Sequence, residues 1–224
     1  MPMESALVTQ AKTSIPVELA DRSLCLRADG TVWCAEFETL LVGDLHLGKE
    51  SSFRAAGVPV PDGATQTTLQ LLQAAIDSCR PRKLILLGDL LHDRAALSDE
   101  TSRMFQEFCA QNSKCSMTLV LGNHDQNVDI PTAWALEIHD RAQLDEIELK
   151  HAPRESIPTG SFEIAAHWHP VVALQSRLEK LRFRCFVLSA QQLIVPAFGP
   201  FKGGLELQPS SDKQLIPIGD YNRE

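Results

Sequence analysis

A chain of 224 residues that is 44% hydrophobic and 22% charged has the composition of an ordinary globular protein, which excludes a disordered or fibrous chain. Its formal net charge of −8 excludes a broad basic surface that grips nucleic acid non-specifically; any such contact must be local and helped by bound cations. No run approaches the ~18 apolar residues of a membrane span, and the N-terminus lacks a basic stretch followed by an apolar one, so a cytoplasmic protein without membrane contact is expected.

Residues 1–14 read as a flexible leader and 15–224 as a single domain, with no linker, repeat or low-complexity tract. The stretch S-L-C-L-R-A-D-G-T-V-W-C-A-E predicts a hairpin turning at Asp29-Gly30. A buried strand follows at 39–42, ending in Gly43. Leu69, Leu71, Leu72, Ala75 and Ile76 recur at helical spacing within 63–80. K-L-I-L-L-G-D is a second buried strand, 100–111 a second helix, and M-T-L-V-L-G-N-H-D a third strand. Continuously apolar strands separated by helices point to a parallel sheet covered on both faces.

Beyond about residue 130 the pattern changes. E-I-E-L-K-H, F-E-I-A-A-H, F-R-C-F-V-L-S and Q-Q-L-I-V-P-A-F are closely spaced strands, so a second, largely antiparallel sheet sharing the same core is expected. The stretch F-E-I-A-A-H-W-H-P ends in a histidine pair. In an extended strand residues i and i+2 share a face, which would project His167 and His169 together and turn Trp168 away, so core packing is expected rather than stacking on a base. The six cysteines show no C-x-x-C spacing and read as reduced, buried or partly buried thiols.

Each of the three parallel strands ends in glycine followed by polar residues: G-D-L-H at 43–46, G-D-L-L-H-D-R at 88–94 and G-N-H-D at 122–125. Ligands of open α/β sheets bind at these carboxyl ends. Six of the seven histidines (His46, His92, His124, His151, His167 and His169) fall at or after a strand end; His139 does not. With Asp44, Asp89 and Asn123 they form a donor set without thiolates, suited to Mn²⁺, Fe²⁺ or Zn²⁺. There are more donors than one metal takes. Two metals about 3.5–4 Å apart, sharing a carboxylate, can hold a hydroxide and clamp a phosphate under in-line attack.

The pattern D-x-H…G-D-x-x-H…G-N-H-D…H…H-x-H resembles the calcineurin-like metallophosphoesterase superfamily. More closely, G-D-L-H-L-G-K-E-S-S-F-R-A-A-G-V-P-V-P, L-L-G-D-L-L-H, G-N-H-D, L-K-H-A-P, A-H-W-H-P and L-I-V-P-A-F-G-P-F-K-G-G resemble the DNA-ligase-associated metallophosphoesterases, the ligase-associated DNA damage response endonucleases of bacterial repair operons. The resemblance runs over about residues 15–207. It implies an α/β fold, a four-layer αββα sandwich of two mixed sheets flanked by helices, and a Mn²⁺-dependent phosphodiesterase cutting DNA internally. It further implies a shared pathway with a DNA ligase and a helicase, without implying contact.

Carried over residue by residue, the resemblance assigns one metal to Asp44, His46 and His169, the bridge to Asp89, and a second metal to Asn123, His167 and His151, with His139 as the fallback for His151. Singly, each has a plainer explanation, such as a strand cap for His151 or a turn for Asn123; the assembled set does not. His124, next to Asn123, is expected to stabilise charge and protonate the leaving oxygen while a metal-bridging hydroxide attacks phosphorus. Asp125 is expected to brace its loop. His92 departs from the superfamily, where an aspartate at this position orients the catalytic histidine. It resembles instead the G-D-L-x-H of double-strand-break repair nucleases, and is expected to contact the phosphate or leaving group, with Asp93 as a substitute dyad partner. Ala166 stands where glycine is common. Lys49, Arg54 and Arg154 are candidates for the DNA backbone, Arg54 foremost. The tail from 203 carries no readable chemistry. Alternatives are a phosphatase or phosphodiesterase for small nucleotides, which the acidic charge suits, and a non-catalytic scaffold, which the intact ligand set opposes.

Overall fold

A computed structural model describes residues 14–60, 62–175, 180–200 and 203–223. Of the predicted leader, all but Ser14 lies outside the described residues. The first sheet is assembled in chain order from β1 (Ser14–Leu19), β2 (Arg22–Arg27), β3 (Val32–Cys34), β4 (Thr39–Val42), β5 (Lys83–Leu87), β6 (Ser116–Val120) and β7 (Glu137–His139). β1 to β4 pair antiparallel and β4 to β7 parallel. The β2–β3 turn is held by Asp29, whose carboxylate accepts from Thr31 N at 3.0 Å and from the Arg27 guanidinium at 2.8 Å.

Helices fill the crossovers: α1 (Lys49–Ala55) and α2 (Ala64–Cys79) between β4 and β5, and α3 (Asp99–Gln111) between β5 and β6. The apolar strands divide by alternation. Leu40, Val42, Leu84, Leu86, Met117 and Leu119 pack under α2 and α3, against Leu69, Leu72, Phe105 and Phe108. Leu41, Ile85, Leu87 and Val120 face the other way, onto the second sheet. α3 starts at Ser98, whose hydroxyl accepts from Thr101 N at 3.1 Å.

α1 was not anticipated from the sequence, and its position explains how α2 begins. α2 follows Gly63, which offers no capping side chain; the buried Glu50 of α1 reaches across and accepts from Thr65 N at 2.8 Å. Glu50→Ala therefore leaves an orphan amide at the helix start, and is expected to cost about 1–2 kcal/mol in denaturant unfolding.

The second sheet contains β8 (Ala142–Leu144), β9 (Ile147–Leu149), β10 (Phe162–Ala165), β11 (Val171–Gln175), β12 (Lys180–Leu188), β13 (Gln192–Ile194), β14 (Glu206–Leu207) and β15 (Gln214–Arg223). Its order is β14-β11-β12-β13-β10-β9-β8, with β15 added on β12. The largely antiparallel sheet expected from the spacing is in fact mixed. β10 runs parallel to both β9 and β13, and β11 parallel to β14. The β9–β10 pair is parallel because the 150–161 connection carries the chain back along the sheet instead of reversing it as a hairpin would; β13 and β14 join their parallel neighbours from later in the chain. The fold is thus two mixed sheets with flanking helices; among the described residues the α-helices all precede β6. No helix of the described residues is long and apolar enough to cross a membrane.

Candidate metal centre

The carboxyl ends of β4, β5, β6 and β10 meet on one side of the sandwich. The junction is close: a Cβ on Gly43 would lie 2.7 Å from the Ala166 Cβ, so position 43 has no room for a side chain. Immediately beyond the strand ends, Asp44 (φ 51), His46 (φ 45), Asp89 (φ 47), His167 (φ 67) and His169 (φ 47) all adopt left-handed backbone. Non-glycine residues in that region cost about 1–3 kcal/mol each and persist where the surroundings over-determine them, as functional sites do.

Those turns converge the donors. Asp44, His46, Asp89 and His169 bring ligand atoms within 4.8 Å of one another, and Asp89, His151 and His167 do likewise, so Asp89 belongs to both sets. Asn123 joins the second through its Oδ1, 2.9 Å from His151 Nε2. His151 Nδ1 faces the Leu87 carbonyl at 3.0 Å, which presents Nε2 to the cluster. All seven sequence-derived candidate ligands are therefore brought together. His139, the fallback, lies exposed on the edge strand β7 and in neither set.

A divalent-metal pair fits these residues. Asp44 Oδ1 is buried without a hydrogen-bond partner, a costly arrangement for a carboxylate that a cation would relieve. Ring nitrogens also face each other: His46 Nε2 and His169 Nε2 at 3.3 Å, His167 Nδ1 and His151 Nε2 at 3.0 Å. Burial, followed by the neighbouring His169, His124, Lys49 and His92, pushes the His46 pKa down to about 2. Burial likewise lowers His92 and His167. Neutral imidazole is the form that binds a metal.

The H-W-H reading needs correcting. β10 ends at Ala165, and both histidines lie past it with positive φ, so strand alternation is not what joins them. They are placed by a turn, pinned where His167 N donates to Asp44 Oδ2 at 2.9 Å, and they go to different donor sets. Trp168 is consequently not core packing: it is half-buried and belongs to neither core cluster.

His124 is held from both sides. Its backbone N donates to Asp89 Oδ1 at 3.0 Å, and its Nδ1 meets the His92 carbonyl oxygen in a short contact. Where the resemblance would place an aspartate, the His124 ring thus meets a backbone carbonyl. Asp93 is directed elsewhere: its Oδ1 accepts from Ser52 Oγ at 2.6 Å and from Ala96 N at 2.9 Å. The His92 ring stacks on His124 with centroids 5.3 Å apart and lies edge-on to Phe53. Asp125 braces the loops as expected, accepting from Gly122 N at 3.0 Å and from Leu90 N and Leu91 N at 3.3 and 3.2 Å.

Of the cationic candidates, Arg54 is exposed and ion-paired with Asp62 on the α1–α2 connection. Arg154 is engaged by Glu148 and by the fully buried Glu163. Lys49 is half-buried beside the cluster, with its ammonium 5.7 Å from the Phe53 ring centroid. Phe53 and Ser52 carry no motif spacing and were not found by sequence reasoning; only the placement of α1 brings them to His92 and Asp93.

The glycines at the strand ends are a direct test of this packing. A Cβ on Gly88 (φ 81) would lie 2.2 Å from His151 Nδ1. Gly88→Ala is expected to push His151 aside, weaken metal binding at the Asn123 side, and destabilise by about 1–3 kcal/mol. Metal titration and thermal melting of the variant check both.

Donor sets that share one carboxylate at the ends of parallel strands suit hydrolysis of a phosphoester. The chain belongs to the calcineurin-like phosphoesterases, a family that matches residues 37–191, and is accordingly a phosphoester hydrolase whose fold holds a binuclear divalent-metal site. Its structure is similar to the crystal structure of Pseudomonas putida nuclease MPE, with a TM-score of 0.81 and 30% sequence identity over 94% of this chain and 100% of that one. A more distant similarity is to YfcE, a phosphoesterase from E. coli, with a TM-score of 0.41 and 16% identity over 75% of this chain and 83% of that one. No curated protein matches the sequence.

Proposed function

We propose that this protein is a DNA endonuclease: a two-metal phosphodiesterase, Mn²⁺-loaded, acting in a bacterial DNA-repair pathway shared with a ligase and a helicase. The observation that carries the reaction type is Asp89, common to both donor sets and hydrogen-bonded to the backbone of His124. The likeness to a nuclease over nearly the whole chain supports DNA as the substrate. In this reading residues 15–224 act as one cytoplasmic unit.

Asp44, His46, Asp89 and His169 would hold one cation, and Asp89, Asn123, His151 and His167 the other. Two bound divalent cations supply charge neutralisation at the phosphate oxygens and an activated water. The remaining chemistry belongs to side chains. Because His124 Nδ1 faces a carbonyl, which only accepts, Nδ1 carries a hydrogen and donates it. The second nitrogen, Nε2, lies 3.9 Å from Asp89 Oδ2. In the imidazolium form it delivers its proton to the departing sugar oxygen. His92, stacked alongside, keeps the ring plane fixed and lines the phosphate's approach.

The net charge of −8 favours a second reading, a phosphodiesterase for small nucleotides. The test is metal-stripped protein incubated with closed circular DNA, with and without Mn²⁺. Mn²⁺-dependent nicking or linearisation is expected. Hydrolysis of a small phosphodiester alone would transfer the assignment to the second reading.

A further inference from the structure

We propose that Trp168 and Lys213 form a nucleobase subsite beside the metal centre, which takes an unstacked base of single-stranded or frayed DNA next to the scissile phosphate. The inference rests on the nuclease reading above. Trp168 lies between His167 and His169, so its Cα is about 3.8 Å from that of each of two candidate ligands. The indole therefore projects from the same turn that carries both of those ligands.

The indole lines a cavity of about 240 Å³ that holds none of the candidate metal ligands and is walled by Ile157, Arg154, Glu155, Asp212 and Lys213. That volume falls below the about 300 Å³ at which drug-sized sites begin, and suits a single planar ring. The Lys213 ammonium lies 5.5 Å from the indole centroid. A trough of about 780 Å³ continues from Lys213 along the turn into β15. An aromatic face paired with a cation, opening on a groove, is how single strands are gripped without sequence preference.

Charge argues for stacking over simple ion pairing. Glu155 and Asp212 line the same cavity, Arg154 is already engaged by Glu148 and Glu163, and the chain as a whole carries −8. A phosphate-dense duplex backbone gains little there, whereas an uncharged base gains contact with the ring. The half-buried indole, outside both cores, is otherwise unexplained by packing.

The test compares an oligothymidylate with the same strand carrying abasic residues, in the Mn²⁺-loaded wild type, Trp168→Ala and Trp168→Phe. Metal content of each variant is measured first, and retained metal shows that the H-W-H turn has survived. Trp168→Ala is expected to raise KM about fivefold or more on the base-bearing strand. It should leave kcat, and both constants on the abasic strand, unchanged, and Trp168→Phe should restore most of the difference. As a readout apart from turnover, oligothymidylate should quench wild-type tryptophan emission and leave that of Trp168→Phe, which retains the other two tryptophans, unchanged. Equal losses on both strands, lost metal in Trp168→Phe as well as Trp168→Ala, or an unaltered KM would each overturn the subsite while leaving the nuclease standing. Cleavage of neither strand, with a small phosphodiester still hydrolysed, would overturn the nuclease reading itself.

Discussion

Asp89→Asn is expected to lower phosphodiester hydrolysis by about 10³-fold or more, on the ground that metal-borne charge stabilisation is worth several kcal/mol and each 1.4 kcal/mol is about tenfold. The effect should exceed that of any other single ligand because Asp89 is the residue common to the two groups that hold the candidate metal ligands. It also fixes His124 through a 3.0 Å bond from that residue's amide, so the acid is loosened along with the metals. Asn keeps the shape and one acceptor oxygen but removes the charge. Metal analysis of the dialysed variant should show depletion at both positions, whereas Asn123→Ala should deplete the His151–His167 side alone. Equal partial depletion in the two variants would mean that Asp89 does not bridge.

His124→Ala is expected to lower kcat on DNA by about 10²–10⁴-fold, the range for removing a positioned general acid, with metal content unchanged. The separation follows from the geometry: the His124 ring meets the His92 carbonyl and stands 3.9 Å from Asp89 Oδ2, whereas the hydrogen bond to Asp89 Oδ1, at 3.0 Å, comes from its backbone amide. That amide survives in alanine. The loss should shrink on a substrate with an acidic leaving group such as p-nitrophenolate, which departs without a proton. An equal loss on both substrates would assign His124 to charge stabilisation at the phosphate instead of proton donation.

Much of the site was legible because its residues are placed by local rules. β4 was bounded correctly at 39–42, since a continuously apolar run stopped by glycine has few other readings. The same logic located β5 and β6, and with three strand ends known, Asp44, His46, Asp89, Asn123 and His124 followed. His151 was preferred to His139 for ending a strand and for the histidine before proline that the resemblance implies; the structure places one in the cluster and the other at an exposed edge.

The remainder was decided by segments far apart in sequence. His167 takes its left-handed turn where its amide reaches Asp44, 123 positions earlier, and no period in H-W-H encodes that. The parallel setting of β10 depends on which strands arrive on either side of it. The partner of His124 Nδ1 is a main-chain carbonyl of His92, which has no signature in the side-chain sequence. By itself, then, the sequence determined which residues could carry the chemistry, because buried-strand patterning and the breaks that end it are properties of consecutive residues. Only the tertiary structure decided which donors share Asp89, what orients His124 and where Trp168 faces, because those depend on backbone groups brought together by long-range packing.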